Sequence, residues 1–111
     1  MKYKMIVSDY DDTLANENSL INESTKATIE KYISMGGIFI IATGRALQSI
    51  KPIAESLGIS TYIISYNGAS VYDIKAQKEI INNSFDIPVS QKIAKRLFDD
   101  GFLVKIFLTE L

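Results

Sequence analysis

The sequence predicts an α/β protein that opens as a doubly wound parallel sheet, and three features carry that prediction. Strand-sized apolar runs (Met5–Val7, Ile38–Ala42 and Thr61–Ser65) alternate with segments of helical periodicity. Unbroken apolar runs suit strands covered on both faces, and strands alternating with helices imply right-handed crossovers into a parallel sheet. The first two runs also end in polar clusters, Asp9–Thr13 and Thr43–Arg45. Ligand sites of open α/β sheets lie beyond the carboxyl ends of the strands, so chemistry is expected there.

The first strand, around Met5–Val7, ends abruptly in Asp9, Asp11, Asp12 and Thr13. Two residues apart in extended chain, Asp9 and Asp11 point the same way. They are placed to share one divalent cation or to divide a nucleophile's task from an acid/base task; an acidic loop with Asp12 or Thr13 as a cap is the plainer alternative. Leu14–Leu20 is polar and turn-like, a small hairpin or flap. Asn22-Glu23-Ser24-Thr25 offers helix-starting residues with a carboxylate near the positive end of the dipole. Ile29, Tyr32 and Ile33 give that helix its apolar face, and Met35-Gly36-Gly37 stops it.

Ile38–Ala42, β-branched and aromatic throughout its centre, has the composition of a central parallel strand. Thr43-Gly44-Arg45 closes it and opens a second helical pattern with Leu47, Ile50, Ala54 and Leu57 inward. Pro52 is expected to kink this helix or to mark its first turn. Gly58 ends it, and Thr61–Ser65 is a third strand. The rhythm then changes: Tyr66–Asp73 and Glu79–Ile81 read as antiparallel hairpin strands. Ser84–Ile87 is expected to be extended, with Pro88 at the start of a helix whose face is Ile93, Ala94, Leu97 and Phe98. Gly101 ends that helix, and Leu103–Leu108 reads as a last strand. The composition break at Asn82–Ser84 divides the chain into 1–82 and 83–111.

At 111 residues the chain has room for one domain's core. A formal net charge of -1, without a run of Lys or Arg, argues against nucleic acid or an anionic membrane as the main partner. Hydrophobic residues at 47% and charged residues at 23% suit a soluble globular protein, and no apolar stretch approaches the roughly 20 residues of a membrane span. Lys2, Lys4 and Asp9 leave no space for an export signal, so a cytoplasmic location is expected. Cysteine and histidine are absent. Any chemistry must run on carboxylates, hydroxyls, Lys or Arg, with an oxygen-ligated ion such as Mg²⁺ as the natural helper.

Adjacent parallel strands bring Asp9–Thr13 and Thr43-Gly44-Arg45 side by side. A hydroxyl, a glycine that lets amides approach, a guanidinium and a helix amino terminus make an anion site that suits phosphate, although Thr43-Gly44 also reads as a simple cap and turn. Carboxylates for a metal and donors for a phosphate describe phosphoryl transfer.

With these residues in view, the sequence resembles the haloacid dehalogenase (HAD) superfamily of Asp-nucleophile phosphatases, and within it the Cof-type branch. Asp9-Tyr10-Asp11-Asp12-Thr13-Leu14 is similar to the family's Asp-x-Asp-x-Thr motif, with Asp12 where many members have Gly. Ile40–Arg45 is similar to its second motif and Ser65-Tyr66-Asn67-Gly68-Ala69 to the Asn-Gly-Ala segment of the Cof-type branch. The resemblance implies a Rossmann-like core over 1–82 and, over 83–111, the first β-α-β elements of a C2-type α/β cap. It further implies Asp9 as nucleophile, Asp11 as acid and base, and Mg²⁺ held by the Asp9 carboxylate and the Asp11 carbonyl. Thr43, Gly44, Arg45, Asn67 and Gly68 would bind the phosphate of a small phosphorylated metabolite, although Asn-Gly is also the commonest tight hairpin turn.

The family's third motif, with its Lys, and its fourth, acidic motif have no counterpart in the sequence. The expectation is therefore the amino-terminal part of such a phosphatase, a truncated fragment that is weak or inactive by itself, or a non-catalytic binding module. Unpaired edges, Val104–Leu108 above all, are expected to favour a homo-oligomer. A receiver-type signalling domain is a poor fit, since Ser65-Tyr66-Asn67 offers no phospho-accepting Asp.

Overall fold

The computed structural model describes residues 2–108. Its elements follow the expected order: β1 (Met5–Ser8), α1 (Glu23–Ser34), β2 (Ile38–Ala42), α2 (Leu47–Ser56), β3 (Tyr62–Ser65), β4 (Ser70–Asp73), β5 (Lys78–Asn82) and α3 (Ile87–Asp99). One mixed sheet runs β1-β2-β3-β4-β5. The first three strands are parallel, and β4 and β5 add antiparallel. The α/β fold with flanking helices is therefore the one the sequence predicts, hairpin included.

Local chemistry explains the boundaries. At the end of α1 the Gly37 amide donates to the Tyr32 carbonyl and the Gly36 amide to that of Ile33, a Schellman closure with Gly36 at φ +88°. Leu97 and Phe98 accept equivalent bonds from Phe102 and Gly101 at the end of α3. That helix starts where Asp86 accepts from the Val89 amide and Pro88 occupies the first turn. α2 runs through Pro52 unbroken. Its first turn lies earlier, at Leu47, so the proline marks neither a helix start nor a break. Leu14–Leu20 forms no strand pairing; it is a turn in which the Asn16 side chain accepts from the Asn18 and Leu20 amides.

The core lies on one side of the sheet. Ile29 of α1 and Ile50, Ala54 and Leu57 of α2 join Phe39, Ile41, Ile63 and Tyr72 in one buried cluster. Paired register puts Ile6 on that face beside Phe39, and alternation sends Met5, Val7, Ile38, Ile40, Ile64, Val71 and Ile81 to the other. No helix covers this second face among the described residues, and Met5, Val7 and Ile81 are exposed. The chain accordingly exposes 8000 Å², whereas a compact protein of its 12.4 kDa mass exposes about 6,100 Å².

Two expectations need correction here. Among the described residues β1 is an edge strand paired only with β2, and it is not covered on both faces, because no helix lies over the side that carries Met5 and Val7. Leu103–Leu108 is not a strand. A strand exists only with a ladder partner; this segment has none among the described residues, and Phe107 instead stacks edge-on against Tyr66 at 5.6 Å. The edge expected to favour self-association is thus not formed, and among the described residues the free edges belong to β1 and β5. α3 buries none of its residues, leaving Ile93 and Leu97 exposed.

Sidedness makes a direct prediction for urea denaturation. Ile41→Ala, at a fully buried position, is expected to cost about 3 kcal/mol, and Val7→Ala, on the bare face of the neighbouring strand, less than about 1 kcal/mol. Equal costs would contradict the one-sided core.

Candidate active site

The three parallel strands all end at one edge of the sheet, and the expected site residues follow directly: Asp9 after β1, Thr43 after β2 and Tyr66-Asn67-Gly68 after β3. Main-chain hydrogen bonds lace the second and third loops together. The Tyr66 amide donates to the Arg45 carbonyl and the Asn67 amide to that of Thr43, both at 3.0 Å. Asn67 takes a left-handed conformation, φ +54°, as the chain turns from β3 towards β4. The Asn-Gly dipeptide is therefore both a turn and part of the cleft wall. Gly44 lets Asn67 sit where it does, since a Cβ there would lie 2.7 Å from the Asn67 Oδ1 and the side chain would have to move.

These loops enclose a cleft of 290 Å³ lined by Asp9, Thr43, Gly44, Asn67 and Gly68, with Ala42 and Ile64 at its base. That volume is at the small end for ligand sites and suits a phosphoryl-sized group. Thr43 is buried and its hydroxyl accepts from the Arg45 amide at 3.1 Å, so the hydroxyl proton remains available to a ligand. Asp9 makes one side-chain contact, accepting from the Thr13 hydroxyl at 3.3 Å, and has no ion-pair partner among the described residues.

Asp11 and Arg45 stand apart from the other expected residues. Neither lines the cleft; they bind each other, Arg45 Nε to Oδ2 at 2.9 Å and Nη2 to Oδ1 at 2.6 Å. The Asp11 carboxylate, expected to share the direction of Asp9's, is turned to the guanidinium. Hydrogen bonds from Arg45 are the main reason the Asp11 carboxyl is held below the usual carboxylate range; desolvation opposes them and the charge of Arg45 reinforces them. Arg45 is reciprocally raised above its ordinary value by the same bonds. The stability from this pair is present in full above the ordinary carboxylate pKa and is lost as pH falls through the lowered one. It is small, because Asp11 is 47% exposed and solvent screens the pair.

Sequence reasoning missed Tyr10. Its ring is 2% exposed and carries the Arg45 guanidinium 4.8 Å above its centroid. The available signal was its place between two carboxylates that point outward, which sends the intervening side chain inward. Asp12, where the resemblance expects glycine in many relatives, has φ +58° and ψ 12°. That is the left-handed region, open to glycine and tolerated by aspartate.

No group of three or more His, Cys, Asp or Glu that could hold a metal occurs among the described residues. The carboxylate among the cleft's lining residues is that of Asp9. Such a hard donor fits Mg²⁺, which binds through one or two carboxylates and keeps several waters.

Asp9 thus lines a phosphoryl-sized cleft at the carboxyl edge of the parallel strands, the edge at which open α/β sheets bind their ligands. A family model of haloacid dehalogenase-like hydrolases matches residues 6–110, and the chain belongs to that family. A provisionally named phosphatase of Buchnera aphidicola subsp. Baizongia pistaciae is 32% identical over 109 residues, which are 98% of this chain and 39% of that protein. The 5-amino-6-(5-phospho-D-ribitylamino)uracil phosphatase of Bacillus subtilis is 36% identical over 70 residues, 63% of this chain and 28% of the relative. A crystal structure of a haloacid dehalogenase-like hydrolase from Bacteroides thetaiotaomicron superimposes with a TM-score of 0.76 at 27% identity, covering 86% of this chain and 38% of that one. The chain thus spans about two fifths or less of the length of these proteins.

Three substitutions test the loops. Asp12→Gly is expected to leave thermal stability unchanged within about 0.5 kcal/mol, while Asp12→Val, β-branched at positive φ, loses about 1–2 kcal/mol. Gly44→Ala is expected to displace the Asn67 side chain, read as a shift of its Nδ2 amide resonances; an unmoved Asn67 would contradict the close approach.

Proposed function

We propose that this chain carries the nucleophile half of a phosphoric monoester hydrolase site acting on a small phosphorylated metabolite. The observation that carries the reading is the Asp9 carboxylate facing a phosphoryl-sized cleft whose walls are Thr43, Gly44, Asn67 and Gly68. An Asp9 oxygen forms a bond to phosphorus as the ester P–O bond breaks, and the leaving oxygen takes a proton from Asp11. Water then attacks the aspartyl-phosphate with Asp11 accepting its proton, which releases inorganic phosphate and restores Asp9. The Thr43 hydroxyl and the loop amides orient the phosphoryl oxygens, and Arg45 supplies positive charge beside them. Asp9 and the Asp11 carbonyl would hold Mg²⁺, which when bound neutralises phosphoryl charge.

The substrate class is supported by the Bacillus subtilis relative, whose name specifies a phosphorylated ribitylaminouracil. A sugar phosphate or cofactor phosphate is the corresponding proposal for this chain. Residues 1–82 form the catalytic core in this reading and 83–111 begin a substrate-selecting cap, which accounts for an α3 that buries nothing against the sheet. No helix among the described residues is long and apolar enough to cross a membrane; a cytoplasmic phosphatase is the accompanying proposal.

A second reading, an anion-binding module without turnover, draws on the cleft itself, whose lining supplies hydroxyl and amide groups but no ammonium or guanidinium. Mg²⁺-dependent hydrolysis of p-nitrophenyl phosphate separates the two. The catalytic reading expects slow turnover that Asp9→Asn lowers by at least about 100-fold. Equal rates for both proteins would overturn it.

A further inference from the structure

The two expected site residues that stand outside the cleft occupy each other, and a third side chain holds them there. Arg45 spends its Nε and Nη2 on the Asp11 carboxylate, and Nη2 also reaches Ser19 Oγ at 3.4 Å. Beneath the guanidinium, the buried Tyr10 ring is a fixed floor, and its hydroxyl donates to the Ser19 carbonyl at 2.8 Å. Ser19 belongs to the turn closed by Asn16 and Leu20, whose amide and carbonyl meet at 2.8 Å. Carboxylate, guanidinium and turn are thus one cluster centred on Tyr10.

The Nε–Nη2 fork of an arginine grips one oxyanion at a time. Arg45 directly follows Gly44, a wall residue of the cleft, and its amide is bonded to the Thr43 hydroxyl. The Arg45 backbone thus borders the cleft, and an arginine side chain is long enough to turn from Asp11 to an anion held there. We propose that Arg45 is an anion-operated latch: with the cleft empty it holds Asp11 and the Asn16–Leu20 turn over Tyr10, and a phosphate-like anion takes its fork and frees both together. Tyr10 is the positioning residue. The proposal rests on the hydrolase reading above and deepens it, because Asp11 becomes available for proton transfer only when a phosphoryl group is present. An exposed ion pair and a cation–π contact together bias such an equilibrium by about three- to tenfold, small enough for a charged ligand to overcome.

The test uses the 111-residue chain, inorganic phosphate as the probe, and NMR of backbone amides and of the Arg45 Nε–H. Without phosphate, a slowly exchanging Arg45 Nε–H is expected, lost in Asp11→Asn. Phosphate should shift this resonance and, with it, the Ser19 amide. Asp11→Asn should tighten phosphate binding about three- to tenfold when Arg45 is present and less than twofold in an Arg45→Gln background. Equal tightening in both backgrounds would assign the effect to simple repulsion and overturn the latch while phosphate binding, and the hydrolase reading, stood. A phosphate that shifts the Gly44 and Gly68 amides but not the Arg45 Nε–H would do the same. A phosphate that shifts neither would overturn both. Tyr10→Phe keeps the ring and removes only the tether, so the Arg45 Nε–H should stay protected while the Ser19 amide exchanges faster and no longer responds to phosphate; an unchanged Ser19 amide would remove Tyr10 from the device.

Discussion

The hydrogen bonds from the Tyr66 and Asn67 amides to the Arg45 and Thr43 carbonyls are the constraint on which the site depends. Parallel pairing of β1, β2 and β3 brings three loops to one edge, but pairing alone leaves loops free to splay. The lacing draws the third loop onto the second until the Asn67 side chain lies against Gly44, in the space a Cβ would occupy. Asp9 then faces a wall of hydroxyl and amide donors that neighbouring strands hold rigidly. Preorganised donors of this kind spend no reorganisation when charge develops in a reaction, which is why a hydrolase benefits from building them out of backbone.

The fold that supplies this edge is stabilised from one side. α1 and α2 close a core against Phe39, Ile41 and Ile63, and β3 gains further cover from Tyr72 of the hairpin. The opposite face is also apolar but less covered, with Ile40 buried and Met5, Val7 and Ile81 exposed, and it meets the cleft at Ala42 and Ile64.

The strands and helices were legible in the sequence because each carries its own signal. Ile38–Ala42 has only apolar residues and becomes an interior strand between β1 and β3; Gly36, Gly58 and Gly101 stop three helices through positive φ. The cleft was legible because Asp9, Thr43 and Asn67 follow strands that a parallel sheet must align. The illegible parts depend on distant partners. Met5–Val7 and Leu103–Leu108 have strand composition, but composition does not say whether a neighbour exists to cover one or pair with the other. The Arg45–Asp11 bond joins residues 34 apart with no periodicity to announce it, and Tyr10 read as a spacer because its role lies underneath a side chain contributed by another loop.

The central claim is that Asp9 is the group at which phosphorus is bound. A crystal structure of the chain grown with Mg²⁺ and orthovanadate tests it most directly, since vanadate accepts the ligand arrangement of a phosphoryl group under attack. The account predicts vanadium bonded to an Asp9 carboxylate oxygen, with its remaining oxygens facing the Thr43 hydroxyl and the amides around Gly44 and Asn67. Vanadate seated instead in the separate cleft between α2 and the β4–β5 hairpin, beside Lys51 and Lys78, with Asp9 untouched, would contradict it.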